Sequence, residues 1–96
     1  MDFARYDKMK KISYEDEKKI YDYLNGKDLW CETWVDRTGA FDIIKVDINW
    51  GDWKHEHLRC DYLMEQIGYI SINSFVTEEN GSDCYSAQHW YVRRLA

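Results

Sequence analysis

The chain contains no proline and only five glycines in 96 residues. Without proline there is no cis X-Pro bond and no stiff polyproline segment, so glycine, asparagine and aspartate must punctuate the elements. Long apolar runs are missing too. No window approaches the roughly 18 apolar residues needed to cross a bilayer, and Met1-Asp2-Phe3-Ala4-Arg5-Tyr6 opens no apolar signal segment. This predicts a soluble, cytoplasmic chain with no membrane partner. The three cysteines, Cys31, Cys60 and Cys84, are odd in number and lack C-x-x-C spacing. That speaks against a disulfide framework and fits a reducing compartment, where a free cysteine behaves as a small apolar side chain. Positive charge is in short supply. Thirteen Lys and Arg face eighteen Asp and Glu, giving net charge -5 and pI near 5.1, which disfavours direct nucleic-acid binding and leaves room for a basic protein partner. No G-x-x-x-x-G-K-[ST], G-x-G-x-x-G, G-x-S-x-G or H-E-x-x-H motif occurs, so no enzyme class is signalled and no cofactor is implied.

Aromatic residues are abundant, at 17% with five Trp and eight Tyr. So many rings exceed what one small core can hold. The surplus is expected at the surface, and Trp and Tyr are enriched where proteins meet. Hydrophobic residues at 45% with charged residues at 32% predict a folded chain, and 96 residues suit one domain spanning 1–96. Residues 1–12 are expected as a flexible arm.

"KISYEDEKKIYDYLNG" reads as a helix with Ser13 as N-cap, Glu15, Asp16 and Glu17 in the first turn, and Asn25-Gly26 as the stop. Its apolar stripe is Ile20, Tyr23 and Leu24. "LWCETWV", the turn "DRTG" and "AFDIIKVDINW" read as a β-hairpin. Ile44, Val46, Ile48 and Trp50 take one face of its second strand, and Asp42, Lys45, Asp47 and Asn49 take the other. Asp52 is expected to cap a second helix running through Gln66 and Ile67, with Gly68 in the left-handed position that ends it. "YISINSFVT" and "DCYSAQHWYVRR" then form a second hairpin across "EENGSD". The order α-β-β-α-β-β predicts an α+β domain: a four-stranded, mostly antiparallel sheet with helices packed on one face.

The stretch "GDWKHEHLRCDY", residues 51–62, suggests a three-ligand cluster until it is placed on a helix. At about 100° per residue, Trp53, His57, Leu63, Met64 and Ile67 fall within roughly 60° of Cys60, while His55 lies roughly 140° away. Only His57 and Cys60 remain together. Zinc would need two more ligands, drawn from Cys31, Cys84 or His89, without the paired close spacing of a structural zinc site. A core-edge histidine hydrogen-bonded to a neighbour ranks ahead of metal, and a nucleophilic Cys60/His57 pair ranks lower still for want of a pocket. Cys84 and His89, five apart on a strand, face opposite sides. The carboxylate pairs Asp42/Asp47 and Asp61/Glu65 carry no sign of the desolvated cleft that acid–base work requires.

Surfaces are better marked. Leu58 and Tyr62 lie one above the other on the outer side of the second helix, an apolar pair offered to a partner or to another element. On the outer face of the sheet, Trp30, Trp34 and Trp90 stand among Glu32, Asp42 and Asp47. With Glu78, Glu79 and Asp83 of the second hairpin these make a mixed aromatic and acidic surface suited to Arg- and Lys-rich proteins. Exposed aromatics could equally serve a homodimer. The competing reading uses Lys8, Lys10, Lys11, Arg93 and Arg94, with interleaved aromatic rings, as a small nucleic-acid-binding or regulatory module.

"GSDCYSAQHWYVRR" and the preceding "LRCDYLMEQIGYISI" resemble small uncharacterised proteins carried by phages and conjugative elements of gut Firmicutes. The resemblance covers about half the chain and rests on texture rather than on a diagnostic motif. Among short acidic proteins of such origin the best-known class is the anti-CRISPR inhibitors. The resemblance therefore implies a non-catalytic, protein-binding inhibitor acting on a basic nucleic-acid-binding protein of the host or element. It transfers no binding residue.

Overall fold

The computed structural model describes residues 10–29, 31–50, 56–78 and 85–94. The first helix, α1, spans Tyr14–Gly26 and starts where the sequence places it: the Ser13 Oγ accepts from the Asp16 N–H at 3.1 Å, and three acids occupy the first turn. Ile20 and Leu24 are buried and Tyr23 is half-buried, while Lys18–Asp22 and Lys19–Glu15 form i,i+4 pairs on the wet side. The stop differs in detail. Gly26 is the last helical residue, yet the left-handed residue is Asp28, with φ 59°. Aspartate tolerates that region better than most side chains, and the reversal brings Leu29 back into the core.

Strands β1 (Cys31–Asp36) and β2 (Ile43–Trp50) form one antiparallel hairpin, and β3 (Tyr69–Glu78) and β4 (Tyr85–Arg93) form the other. Helix α2 (Glu56–Gln66) lies between them in sequence. Pairing of β2 with β4 joins the hairpins into a four-stranded sheet of order β1-β2-β4-β3. Every neighbouring pair is antiparallel, so β2 and β3 run in the same direction with β4 inserted between them. A connection between two parallel strands has to cross over the sheet, and α2 is that crossover. It packs on β3, β4 and β2, while α1 packs on β1. The domain is thus α+β in the expected order.

Both helices cover the same face. Ile44, Val46 and Ile48 of β2, Ala87, His89 and Tyr91 of β4, and Cys60, Leu63 and Met64 of α2 are all buried there, beside Ile12, Ile20, Leu24 and Leu29. The strict alternation of β2 is the direct cause, since one face of a strand collects every second residue. Gly68, with φ 93°, supplies the left-handed turn after α2, a conformation glycine adopts without steric cost. Asp52, Trp53 and His55 lie outside the described residues, so the start expected for this helix falls beyond them.

Of the residues expected as an arm, 10–12 lie among those described. Lys10 to Ile12 are stitched to the start of β2: the Asp42 N–H donates to the Lys10 carbonyl at 3.0 Å, and Asp42 Oδ2 accepts from the Ile12 N–H at 2.9 Å. The Arg37 guanidinium donates to the Ile12 carbonyl at 3.0 Å while pairing with Glu17 at 3.2 Å. Among the described residues no helix is long and apolar enough to cross a membrane.

Candidate interaction surface

The face of the sheet opposite the helices collects the other half of each strand. Register lays its residues out in rows. Glu32, Asp47, Gln88 and Phe75 cross the sheet in one row, and Trp34, Lys45, Trp90 and Asn73 in the next. Beyond them come the apolar Ile43, Ile70, Ile72 and Val92, with a hollow of about 400 Å³ lined by Gly39, Ala40, Phe41, Ile43, Ile72 and Val92. Ile70, Ile72 and Phe75 are all exposed.

Polar contacts tie the rows together. The Trp90 indole N–H donates to Gln88 Oε1 at 2.6 Å, and the Gln88 amide donates to Asp47 Oδ1 at 3.2 Å. The Lys45 ammonium stands 4.4 Å from the Trp90 ring centroid and 3.2 Å from Asp36 Oδ2. Hydrogen bonds from the Thr38 hydroxyl and amide, with Lys45 beside them, hold the Asp36 carboxyl down at about 2. Phe75 meets the edge of the Trp90 ring, with centroids 5.4 Å apart and planes at 67°. These side chains are fixed relative to one another.

One pairing runs against this order. Glu32 is directly opposite Asp47, two carboxylates on the same face of adjacent strands. Directly opposed side chains have Cβ atoms about 5 Å apart, and like charges there oppose folding. Gln88 satisfies one oxygen of Asp47 without neutralising its charge. Such a pair, with Trp34 and Lys45 in the adjacent row, can accept a guanidinium that bridges both carboxylates and stacks on the Trp34 indole.

The residues read from the sequence as a docking surface divide sharply. Trp34 and Asp47 stand on the open face, half-buried, and Tyr62 is 61% exposed on α2. Asp42 does not belong with them. It is 3% exposed, turned inward just before β2, and held by the Ile12 amide with the Lys11 ammonium at 3.9 Å, so no partner can reach it. Trp30, Glu79 and Asp83 lie outside the described residues, and only the backbone of Leu58, Glu78 and His57 falls within them. Phe75 and Lys45 are the participants that sequence reasoning passed over. The bulge at Ser71/Asn73 shifts the phase of β3, so a strict period of two places Phe75 on the wrong face.

Behind the sheet, Cys60 meets a different environment from the one a Cys/His pair would need. The Tyr91 hydroxyl is 3.2 Å from Cys60 Sγ and donates to Asp61 Oδ1 at 2.5 Å, and His89 Nδ1 is 3.2 Å from the same Asp61 oxygen. Burial pushes the Cys60 thiol up to about 12, despite the Tyr91 hydrogen bond, and the residue is 0% exposed. A protonated, enclosed thiol is inert as a nucleophile at neutral pH. Burial likewise raises Cys31 to about 11. Among the described residues no three His, Cys, Asp or Glu side chains converge as a metal site.

Two cations of the competing reading make internal contacts, whereas Arg94 is exposed. Arg93 donates to Asp16 Oδ2 at 2.5 Å and to the Tyr69 hydroxyl at 3.3 Å, and the Lys10 ammonium lies 5.5 Å from the Phe41 ring centroid. Lys8 lies outside the described residues. Compared with protein-family models, curated proteins and solved structures, the chain gives no match.

Proposed function

We propose that this chain is a non-catalytic protein-binding module that docks the open face of its sheet onto the basic surface of a nucleic-acid-binding protein. The observation that carries the reading is the Glu32–Asp47 pair, an opposed couple of carboxylates on a face that neither helix covers, with Trp34 beside Glu32 in the adjacent row. Proteins rarely place like charges directly across a sheet without a compensating gain. A partner arginine supplies that gain by bridging the carboxylates and stacking on an indole. Acidic balance and aromatic excess support the same reading. Taken with the resemblance to proteins of mobile elements, they give its finer form: a cytoplasmic, anti-CRISPR-like inhibitor that occupies a site its target uses for nucleic acid. The nucleic-acid-binding alternative is weaker, because Arg93, Lys10 and Lys11 are engaged within the fold.

The test is a titration against arginine-rich nucleic-acid-binding proteins, such as CRISPR effectors of the same host. Affinity should fall at least tenfold between about 0.1 M and about 1 M salt, where the screening length shrinks from about 10 Å to about 3 Å. The double variant Glu32→Gln, Asp47→Asn should bind more weakly at low salt. Binding that ignored both salt and these substitutions would sink the electrostatic reading. A mobility shift of free nucleic acid by the chain alone would favour the alternative.

A further inference from the structure

The two outer strands of the sheet are not protected alike. A helix packs on each of them, α1 on β1 and α2 on β3, but β1 is six residues long and carries Glu32 and Asp36. β3 is ten residues long and has no Lys, Arg, Asp, Glu or Pro from Tyr69 to Thr77. Ile70, Ile72 and Phe75 on it are 38%, 49% and 46% exposed, and Ser71 and Ser74 are exposed as well. Natural edge strands are guarded by charge, proline, shortness or cover, because a bare edge presents a row of main-chain donors and acceptors to any other strand. The bulge at Ser71/Asn73 interrupts the regular edge of β3, and beyond it Asn73 to Glu78 pair with β4 without a break. Six residues of regular edge therefore stand open.

We propose that this edge pairs with the same edge of a second copy, antiparallel about a twofold axis, so that two sheets join into one of eight strands. In such a pair the axis sets one residue opposite itself, and every directly opposed pair shares a face. Phe75 on the axis places Asn73 opposite Thr77 and Ser74 opposite Val76 of the second copy. No like charges are opposed. The two Phe75 rings meet on the open face, where each already stands edge-on to its own Trp90 at 5.4 Å, and a four-ring aromatic cluster closes over the junction. A second copy is the occupant argued for because this register satisfies a neutral, symmetric run with its own sequence. The joined sheet keeps its helices on one face and doubles the open face on the other.

Sedimentation or light scattering over a concentration series tests it. The wild-type chain should approach twice its 11.7 kDa mass. Phe75→Lys sets two cations across the axis at an exposed position and should return the single-chain mass with an unchanged circular dichroism spectrum, whereas Phe75→Leu should keep the dimer. Should Phe75→Lys fail to fold, amide exchange on the wild-type chain decides instead: residues 73–77 should slow on concentration while β1 does not. A single-chain mass up to millimolar concentration overturns the proposal. So does a dimer that persists in folded Phe75→Lys but is lost in Trp34→Lys, since that outcome marks a face-to-face pair.

Discussion

Tyr91 and Asp61 share a short polar contact, the phenol donating to the carboxylate at 2.5 Å across the space between β4 and α2. Tyr91 is 0% exposed whereas the Asp61 side chain is 35% exposed, so the bond joins a buried donor to a carboxylate that still reaches water. Burial, together with the charge and hydrogen bonds of Cys60 and Asp61, drives the phenol far above its ordinary value, so it acts only as a donor. His89 stacks on Tyr91 at 6.2 Å between centroids and reaches the same Asp61 oxygen. Tyr91→Phe keeps the ring in the core and deletes only the hydroxyl. It should cost about 1.5–3 kcal/mol, the range for a hydrogen bond to a charged group, read as a lower urea midpoint with unchanged slope. A loss below a few tenths of a kcal/mol would mean the contact is structurally idle.

Acid should weaken the fold through Asp16 and Asp36. Burial raises Asp16, but the Arg93 hydrogen bond and charge, with Ser13, outweigh it and hold the carboxyl below its ordinary 3.8. Asp36 sits lower still, at about 2. Both pKa values are depressed on folding. Their stabilisation is therefore complete above the unfolded value and is lost as pH falls through the folded one. Urea midpoints should decline from about pH 4 toward pH 2 and recover on return. Asp36→Asn should flatten that limb while lowering the neutral plateau, since it removes one of the two groups responsible.

Asp42 shows why part of the site was legible in the sequence and part was not. Alternation along β2 correctly sorts Ile44, Val46 and Ile48 inward and Lys45 and Asp47 outward. By the same parity Asp42 belongs inside, and only its charge argued for the surface. Its partner is the Ile12 amide, 30 residues away, and nothing local announces that bond. Asp61 and His89 are 28 residues apart and meet only because β4 takes its place beneath α2. Periodicity fixes which face a residue takes. It is silent on contacts set by how helices and strands pack. Phe75 escaped for a related reason, since a bulge changes phase without leaving a mark in composition.

Asp42→Ala should destabilise the fold without altering partner binding. It leaves the Ile12 amide buried without its acceptor, while the backbone bond to the Lys10 carbonyl survives, a loss of about 1–3 kcal/mol. For a domain of this size that is a fall in Tm of roughly 4–8 °C per kcal/mol. The check is paired: thermal unfolding for stability, and titration of the basic partner at a temperature where the variant is fully folded. Weakened binding under those conditions would return Asp42 to the docking surface.

Glu32 should behave in the opposite sense. Its carboxylate faces Asp47 across the β1–β2 ladder, and removing one of two like charges in that position relieves about 0.2–1 kcal/mol of repulsion. Glu32→Gln keeps the shape and the β-strand position, so the isolated chain should become slightly more stable in urea. Affinity for an arginine-rich partner should fall in the same variant, because a guanidinium then bridges one carboxylate instead of two. A stabilising change that weakens binding is the signature of a residue kept for recognition rather than for folding. If Glu32→Gln instead destabilised the fold, the pair would be held by contacts within the sheet, and the open face would lose its strongest claim to a cationic partner.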